Sequence, residues 1–396
     1  MKKTVAIIGS GKIGRGYLAD LFSAAGYHIT FIDISTDLVD KLNSRGQYTL
    51  FITGKAETKK RIIKDYEAYS IERDFTTIIE KLSIVDMVCV ALYPNALPSV
   101  ANQIVETIKR CIEISRKNPL NFIFFVNKAL TARRVKEMVE KQLHTETEIN
   151  YYKDNIGIVE ALTLRGGVNP TPKMLKEDPL CVSSSEGTVI PVGDEFVGPK
   201  PDMEFIQFTD RVEGRLAEKV WCGNMLHCTI ASIGWSKGYK YTVECANDPY
   251  IQNIADQAYN EASFGIGKEF NFNTEEIKEG KNKYWNFFMK SNVLDDVEHV
   301  SADPLRKLSR DDRYIGPALL CLKYNKLPYF LARGAAYLFL FENEKDPSAL
   351  KLQSSVKSNG IEQTIWDVCD LSPNIKEEQM LHQLILAHYK EIAFRK

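Results

Sequence analysis

The chain has 396 residues, 44% of them hydrophobic, which is more than one ordinary core takes up and enough for two, so a disordered or single-core protein is not expected. Its 51 lysines and arginines nearly balance 52 aspartates and glutamates, which argues against a global electrostatic grip on nucleic acid or on an anionic membrane. No stretch approaches the roughly 20 apolar residues that a bilayer demands.

Met1-Lys2-Lys3 followed by Thr4 to Ile8 imitates the start of a signal peptide, but glycines and Lys12 break the apolar run within a few residues, so a soluble, cytoplasmic protein is expected. Val5 to Ile8 reads as a strand. It ends in Gly9-Ser10-Gly11-Lys12-Ile13-Gly14-Arg15-Gly16, after which Tyr17, Leu18, Leu21 and Phe22 recur at helical spacing until Gly26. Ile29 to Ile32 forms the next strand, with Asp33 at its C-terminal end, completing a βαβ unit. Met87 to Ala91 and Phe122 to Val126 are continuous apolar runs, and Leu97 to Ile114 between them is a long helix, the alternation of a parallel sheet covered on both faces. Short strand-like pieces at Leu180–Val182 and Thr188–Ile190, among Ser, Gly and Pro, close the first domain. From about residue 204 the pattern turns to helix-length amphipathic stretches. The fold class expected is an α/β Rossmann-type N-terminal domain, residues 1–200, with a mainly α-helical C-terminal domain, residues 201–396. The charge-dense stretch from Glu275 to Lys283 reads as a solvated helix end.

Strand, glycine turn, helix and downstream acid in this order are the signature of dinucleotide binding. Gly9 allows the tight turn, Gly11 lets the backbone approach a pyrophosphate, and Gly14 permits close helix–strand packing, while the helix N-terminus supplies N–H groups and a partial positive charge. Gly9, Gly11, Ile13, Gly14 and Asp33 are the candidate cofactor-binding residues. Asp33 accepts hydrogen bonds from the adenosine ribose and repels a 2′-phosphate, so NAD is the expected cofactor. Lys12 and Arg15 either assist the phosphates or are merely solvated.

The eight cysteines form no C-x-x-C pair, so neither a structural zinc site nor a redox dithiol is indicated, and no metal is expected. In the helical half, Lys219, Asn224 and His227 stand among apolar neighbours as K-x-x-x-x-N-x-x-H. On an α-helix Asn224 and His227 share a face, and Lys219 spreads the group over roughly 140° of arc. Singly, each also reads as a snorkelling lysine, a hydrogen-bonded asparagine and a satisfied core histidine.

From about residue 1 to beyond residue 390 the sequence resembles the polyol-specific long-chain dehydrogenases, the mannitol dehydrogenase family. The resemblance lies in Gly9 to Gly16, in Asp33 followed by Leu38 to Asn43, in Asn118 to Asn121 leading into Val126-Asn127, in Lys219 to His227 and in Asp303 to Leu308. It implies that Lys219 is the general acid/base, that Asn224 and Asn127 stabilise the alkoxide-like oxygen without zinc, and that His227 binds the substrate and orients that oxygen. It implies an NAD-dependent enzyme, monomer or dimer, that interconverts a polyol, expected to be a hexitol phosphate such as mannitol 1-phosphate, and the ketose. A related alternative is a reductase of a hexuronate such as fructuronate or tagaturonate. A non-catalytic NAD-binding protein is the reading from another class.

The sequence departs from the family at Val126, where an acid is familiar, at Lys128, where an apolar residue is common, and at Leu164, which replaces an aspartate before Arg165. These changes border the expected substrate site and bear on the identity of the polyol. Arg165, together with Arg306, Lys307, Arg310 and Arg313, is a candidate for binding substrate; the last four form a basic cluster that would clamp a phosphate or carboxylate. Asp311 and Asp312 lie inside that cluster, so a structural salt-bridge network is the competing reading.

Overall fold

The β-branched runs of the N-terminal half pair as a parallel sheet and the amphipathic stretches of the C-terminal half pack as helices, in a computed structural model that describes residues 2–54, 57–245, 247–290 and 295–394. Two compact units result, Met1–Glu213 and Gly214–Lys396.

In the first unit the strands are β1 (Thr4–Ile8), β2 (His28–Asp33), β3 (Gln47–Thr53), β4 (Thr58–Lys64), β5 (Tyr66–Ser70), β6 (Met87–Val90), β7 (Leu120–Phe124), β8 (Ile156–Glu160), β9 (Gly167–Val168), β10 (Val182–Ser185), β11 (Ile190–Gly193) and β12 (Ile206–Thr209). Six of them make one parallel sheet in the order β5-β2-β1-β6-β7-β8. The order reverses between β1 and β6, and open α/β sheets bind ligands beyond the carboxyl ends of the strands at such a switch point. Alternate residues of each strand feed two cores. Val5, Ile7, Phe31, Cys89 and Ile123 enter one, and Ala6, Ile8, Ile32, Val88, Val90, Phe122 and Phe124 enter the other, which is why these strands read as unbroken apolar runs.

The stretch between Asp33 and Met87, to which the sequence pattern assigns no strand, holds β3, β4 and β5. β3 and β4 form an antiparallel pair, and with β10 and β9 they make a second, four-stranded sheet. β4 reads Thr-Lys-Lys-Arg-Ile-Ile-Lys and buries only Ile63, so no apolar alternation announces it.

In the second unit the helix Met225–Ser236 is buried almost all round, as a central helix must be. It packs against Pro249–Phe270, Tyr329–Phe339 and Val297–Ser301, with Thr274–Lys290, Ile315–Lys323, Pro347–Cys369 and Lys376–Phe394 completing the unit. Asp248, Asp296 and Asp346 start three of these helices by accepting backbone N–H groups of the first turn. Among the described residues no helix is long and apolar enough to cross a membrane.

Candidate active site

β1 ends at Gly9 with φ +101°, a backbone conformation glycine adopts without strain, and a Cβ there would stand 2.3 Å from the Ala91 carbonyl oxygen. A Cβ on Gly14 would stand 1.9 Å from the Gly9 carbonyl oxygen, so the first helical turn rides directly on the glycine turn. Around Gly11 nothing lies within 4 Å of the Cβ position, which leaves that backbone open to a ligand. Arg15 N–H donates to Gly11 O at 2.9 Å as the first intrahelical bond, so the N–H groups of Lys12, Ile13 and Gly14 face the turn without intrahelical acceptors. Together with the helix dipole they form a cradle for an anion such as a pyrophosphate. The Ile13 side chain packs against the core, so its offering to a ligand is its backbone N–H.

Asp33 fastens the turn to β2. Its Oδ2 accepts from Ser10 N–H at 2.7 Å and its Oδ1 from Ser35 N–H at 2.9 Å, and each oxygen keeps capacity for a further donor such as a ribose hydroxyl. Arg15 does not point at the phosphate cradle. Its Nε donates to Ser10 O at 2.6 Å and its Nη1 to Leu180 O at 2.7 Å, bracing the turn from behind, and Lys12 donates to the Asn169 side chain.

Asn127 is exposed just past β7, at the same carboxyl edge of the sheet. Two further residues at that edge escaped the sequence reading. Ile34, 66% exposed after β2, and Tyr93, 83% exposed after β6, are large apolar side chains left in the open at strand ends, and that pairing is the signal that could have found them. Glu160, at the end of β8, is buried. Its Oε1 accepts from Ala132 N–H at 3.0 Å while Oε2 has no partner among the described residues. Burial pushes its carboxyl up to about 7, with the Ala132 N–H opposing.

Arg165 corrects an expectation. It is 2% exposed, donates from Nη1 to Asp20 Oδ2 at 2.7 Å and from Nε to Ser184 Oγ at 2.9 Å, and lies over the Tyr17 ring. A guanidinium enclosed in this way ties Asp20 to Ser184 inside the first unit, where the sequence reading had it facing a substrate.

In the second unit the Lys219 segment is not a plain α-helix. Glu218–Asn224 forms a π turn between the helices Val212–Ala217 and Met225–Ser236. Closing i→i+5 instead of i→i+4 bonds takes more residues per turn, so Lys219 and Asn224, five apart, swing toward a common face and the 140° spread narrows. From residue 216 to 234, Lys219, Asn224 and His227 alone escape full burial. Lys219 has no carboxylate partner among the described residues, and burial, aided by the charge of Lys283, holds its ammonium below the ordinary lysine range. The Asn224 amide likewise has no partner among the described residues.

His227 stacks on Phe288 with ring centres 4.4 Å apart, and its Nε2 stands 3.4 Å from Asp295 Oδ2 without the alignment of a hydrogen bond. Burial pushes the imidazole down to about 4. Asp295 opposes the shift, and Arg313, Lys307 and His299 add to it. The ring is therefore neutral near pH 7. An amine whose ammonium is disfavoured by burial, an amide and a neutral imidazole, all short of full burial, are suited to taking a proton from a hydroxyl and bonding to the oxygen left behind.

The basic cluster divides. Arg306 donates to Asp303 Oδ2 at 2.6 Å and Asp312 Oδ2 at 3.2 Å, and Arg310 to the Asp370 carbonyl at 2.7 Å and to Glu378. Lys307 is buried and donates to Val300 O at 2.6 Å; Arg313 is buried, donates to Asp312 Oδ1 at 2.9 Å and to the Asn224 carbonyl at 3.4 Å. The four cations thus stand in a network of internal bonds, the competing reading of the cluster, and the charges of Lys307 and Arg313 add to the lowering of the His227 imidazole.

A family model described as the mannitol dehydrogenase Rossmann domain matches residues 3–204, and one described as the mannitol dehydrogenase C-terminal domain matches residues 212–392. The chain is 30% identical over 393 residues to a mannitol-1-phosphate 5-dehydrogenase of Thermoanaerobacter pseudethanolicus, covering 98% of each chain. It is 29% identical over 383 residues to the enzyme of the same name from Bacillus licheniformis, covering 96% of this chain and 98% of that one. Among solved structures, Pseudomonas fluorescens mannitol 2-dehydrogenase, in a ternary complex with NAD and D-mannitol, superposes with a TM-score of 0.74 at 17% identity, covering 100% of this chain and 92% of that one.

Proposed function

The chain belongs to the mannitol dehydrogenase family and is a polyol dehydrogenase, and on that premise we propose that it interconverts a hexitol phosphate such as mannitol 1-phosphate and fructose 6-phosphate, with NAD as cofactor and Lys219 as general acid/base. Lys219 carries the reading, as a half-buried amine without a carboxylate partner among the described residues, on a π turn that also exposes Asn224 and His227.

The backbone N–H groups of Lys12, Ile13 and Gly14 would hold the pyrophosphate, and Asp33 the ribose hydroxyls, its charge disfavouring a 2′-phosphate. NAD, when bound, supplies the acceptor for the hydride that leaves the carbinol carbon. Neutral Lys219 takes the hydroxyl proton on Nζ. The amides of Asn224 and Asn127 donate to the oxygen as its charge develops, a stabilisation of roughly 3 kcal/mol per donor. His227, being neutral, binds the same oxygen without competing for the proton. In the reducing direction the Lys219 ammonium returns the proton. We place the enzyme in the cytoplasm, where its eight buried, unpaired cysteines would stay reduced.

NADH oxidation measured with fructose 6-phosphate, fructuronate and tagaturonate side by side tests the substrate. Turnover is expected with the sugar phosphate. Activity confined to the uronates contradicts the proposal.

A further inference from the structure

The helix Thr274–Lys290 runs along the Lys219 segment in a four-residue register. A Cβ on Gly280 would stand 2.0 Å from Glu218 Oε1, a Cβ on Gly223 would stand 2.4 Å from the Tyr284 ring, and Phe288 stacks on His227. Positions 280, 284 and 288 form one stripe of an α-helix, so three successive turns are pressed on Glu218, Gly223 and His227. Lys283 sits beside Tyr284 at the margin of this stripe, close enough for its charge to act on Lys219.

Several other cations of the neighbourhood are paired. Lys281 pairs with Asp256 Oδ1 at 2.6 Å and Arg215 with Glu218 and Glu276, each at 2.9 Å, while the arginines from 306 to 313 are tied down as described. Lys283 is different. It is exposed, its ammonium lies 5.5 Å from the centre of the adjacent Tyr284 ring, and it has no carboxylate partner among the described residues. Two cations held near one another with no anion between them are unfavourable, and a dianionic ligand arriving beside them relieves the repulsion.

Building on the reading of the substrate as a polyol phosphate, we propose that Lys283 receives the substrate's phosphate and thereby selects phosphorylated over neutral sugars. A lysine suits the task, since its ammonium binds phosphate as a point charge on a flexible stem.

Steady-state reduction of fructose 6-phosphate and of fructose by the full-length wild type, Lys283→Gln and Lys283→Arg, with inorganic phosphate as a competing probe, tests this. For Lys283→Gln the KM for fructose 6-phosphate is expected to rise about tenfold or more, with a smaller change in kcat and a KM for fructose within about twofold. Phosphate should compete less well with this variant, and Lys283→Arg should recover most of the affinity. A KM that rises equally for both sugars, a KM that does not move, or a shifted pH profile with no change in KM overturns the assignment. A wild type that prefers fructose to fructose 6-phosphate overturns instead the phosphate reading on which the assignment stands.

Discussion

The mechanism proposed for Lys219 asks for a neutral histidine beside it, and burial keeps His227 so. Its imidazole is pushed down to about 4 in the fold from an ordinary 6.5, so between those values the unfolded chain binds the proton and the native one does not. Its contribution to stability is therefore complete above pH 6.5 and is lost as pH falls through the window toward 4. All four tryptophans, 221, 235, 285 and 366, lie in the second unit, so their emission follows its unfolding in urea. The midpoint is expected to fall from pH 7 to pH 5 in the wild type and to fall less in His227→Gln; equal falls would assign the acid sensitivity to other groups. The trio Lys219, Asn224 and His227 was legible in the sequence because three polar residues interrupt an apolar helix. The burial of Arg165 was not, because its partner Asp20 lies 145 residues away and no local pattern links them.

At the scale of elements, two π turns underlie the proposed sites, Gly14–Leu18 behind the glycine turn and Glu218–Asn224 under Lys219. Neither was legible, since the choice between i→i+4 and i→i+5 closure depends on what packs against the turn, as Tyr284 does on Gly223. The βαβ unit around Gly9 was legible, because Gly9 and Gly14 answer local steric demands. Gly14→Ala drives a Cβ onto the Gly9 carbonyl and is expected to cost about 1–3 kcal/mol by overpacking and to raise the Kd for NADH, read by thermal melts and NADH fluorescence titration. Unchanged NADH binding would separate this turn from the cofactor. Arg165→Ala leaves Asp20 with Arg61, 2.7 Å away, as its remaining cation, and is expected to cost about 3 kcal/mol of stability without a specific rise in the KM for sugar. A raised KM at unchanged stability would return Arg165 to the substrate.

Over the whole molecule, function follows the division into two units. In the proposed mechanism the first offers backbone N–H groups and Asp33 to a dinucleotide, and the second offers the Lys219 amine, the Asn224 amide and the His227 imidazole to a hydroxyl. The nucleotide half was readable from local spacing, whereas the helical half needed family likeness to suggest a role for Lys219, and needed the structure to show the internal bonds of the basic cluster. This division has a direct consequence for Lys219→Ala, which removes a group of the second unit and leaves the first intact. The decisive measurement is NADH binding and fructose 6-phosphate turnover by this variant at pH 7. The expected result is a Kd for NADH within about twofold of the wild type and a kcat lower by about 10²–10⁴-fold, the usual worth of a general acid/base. Turnover at the wild-type rate would contradict the account.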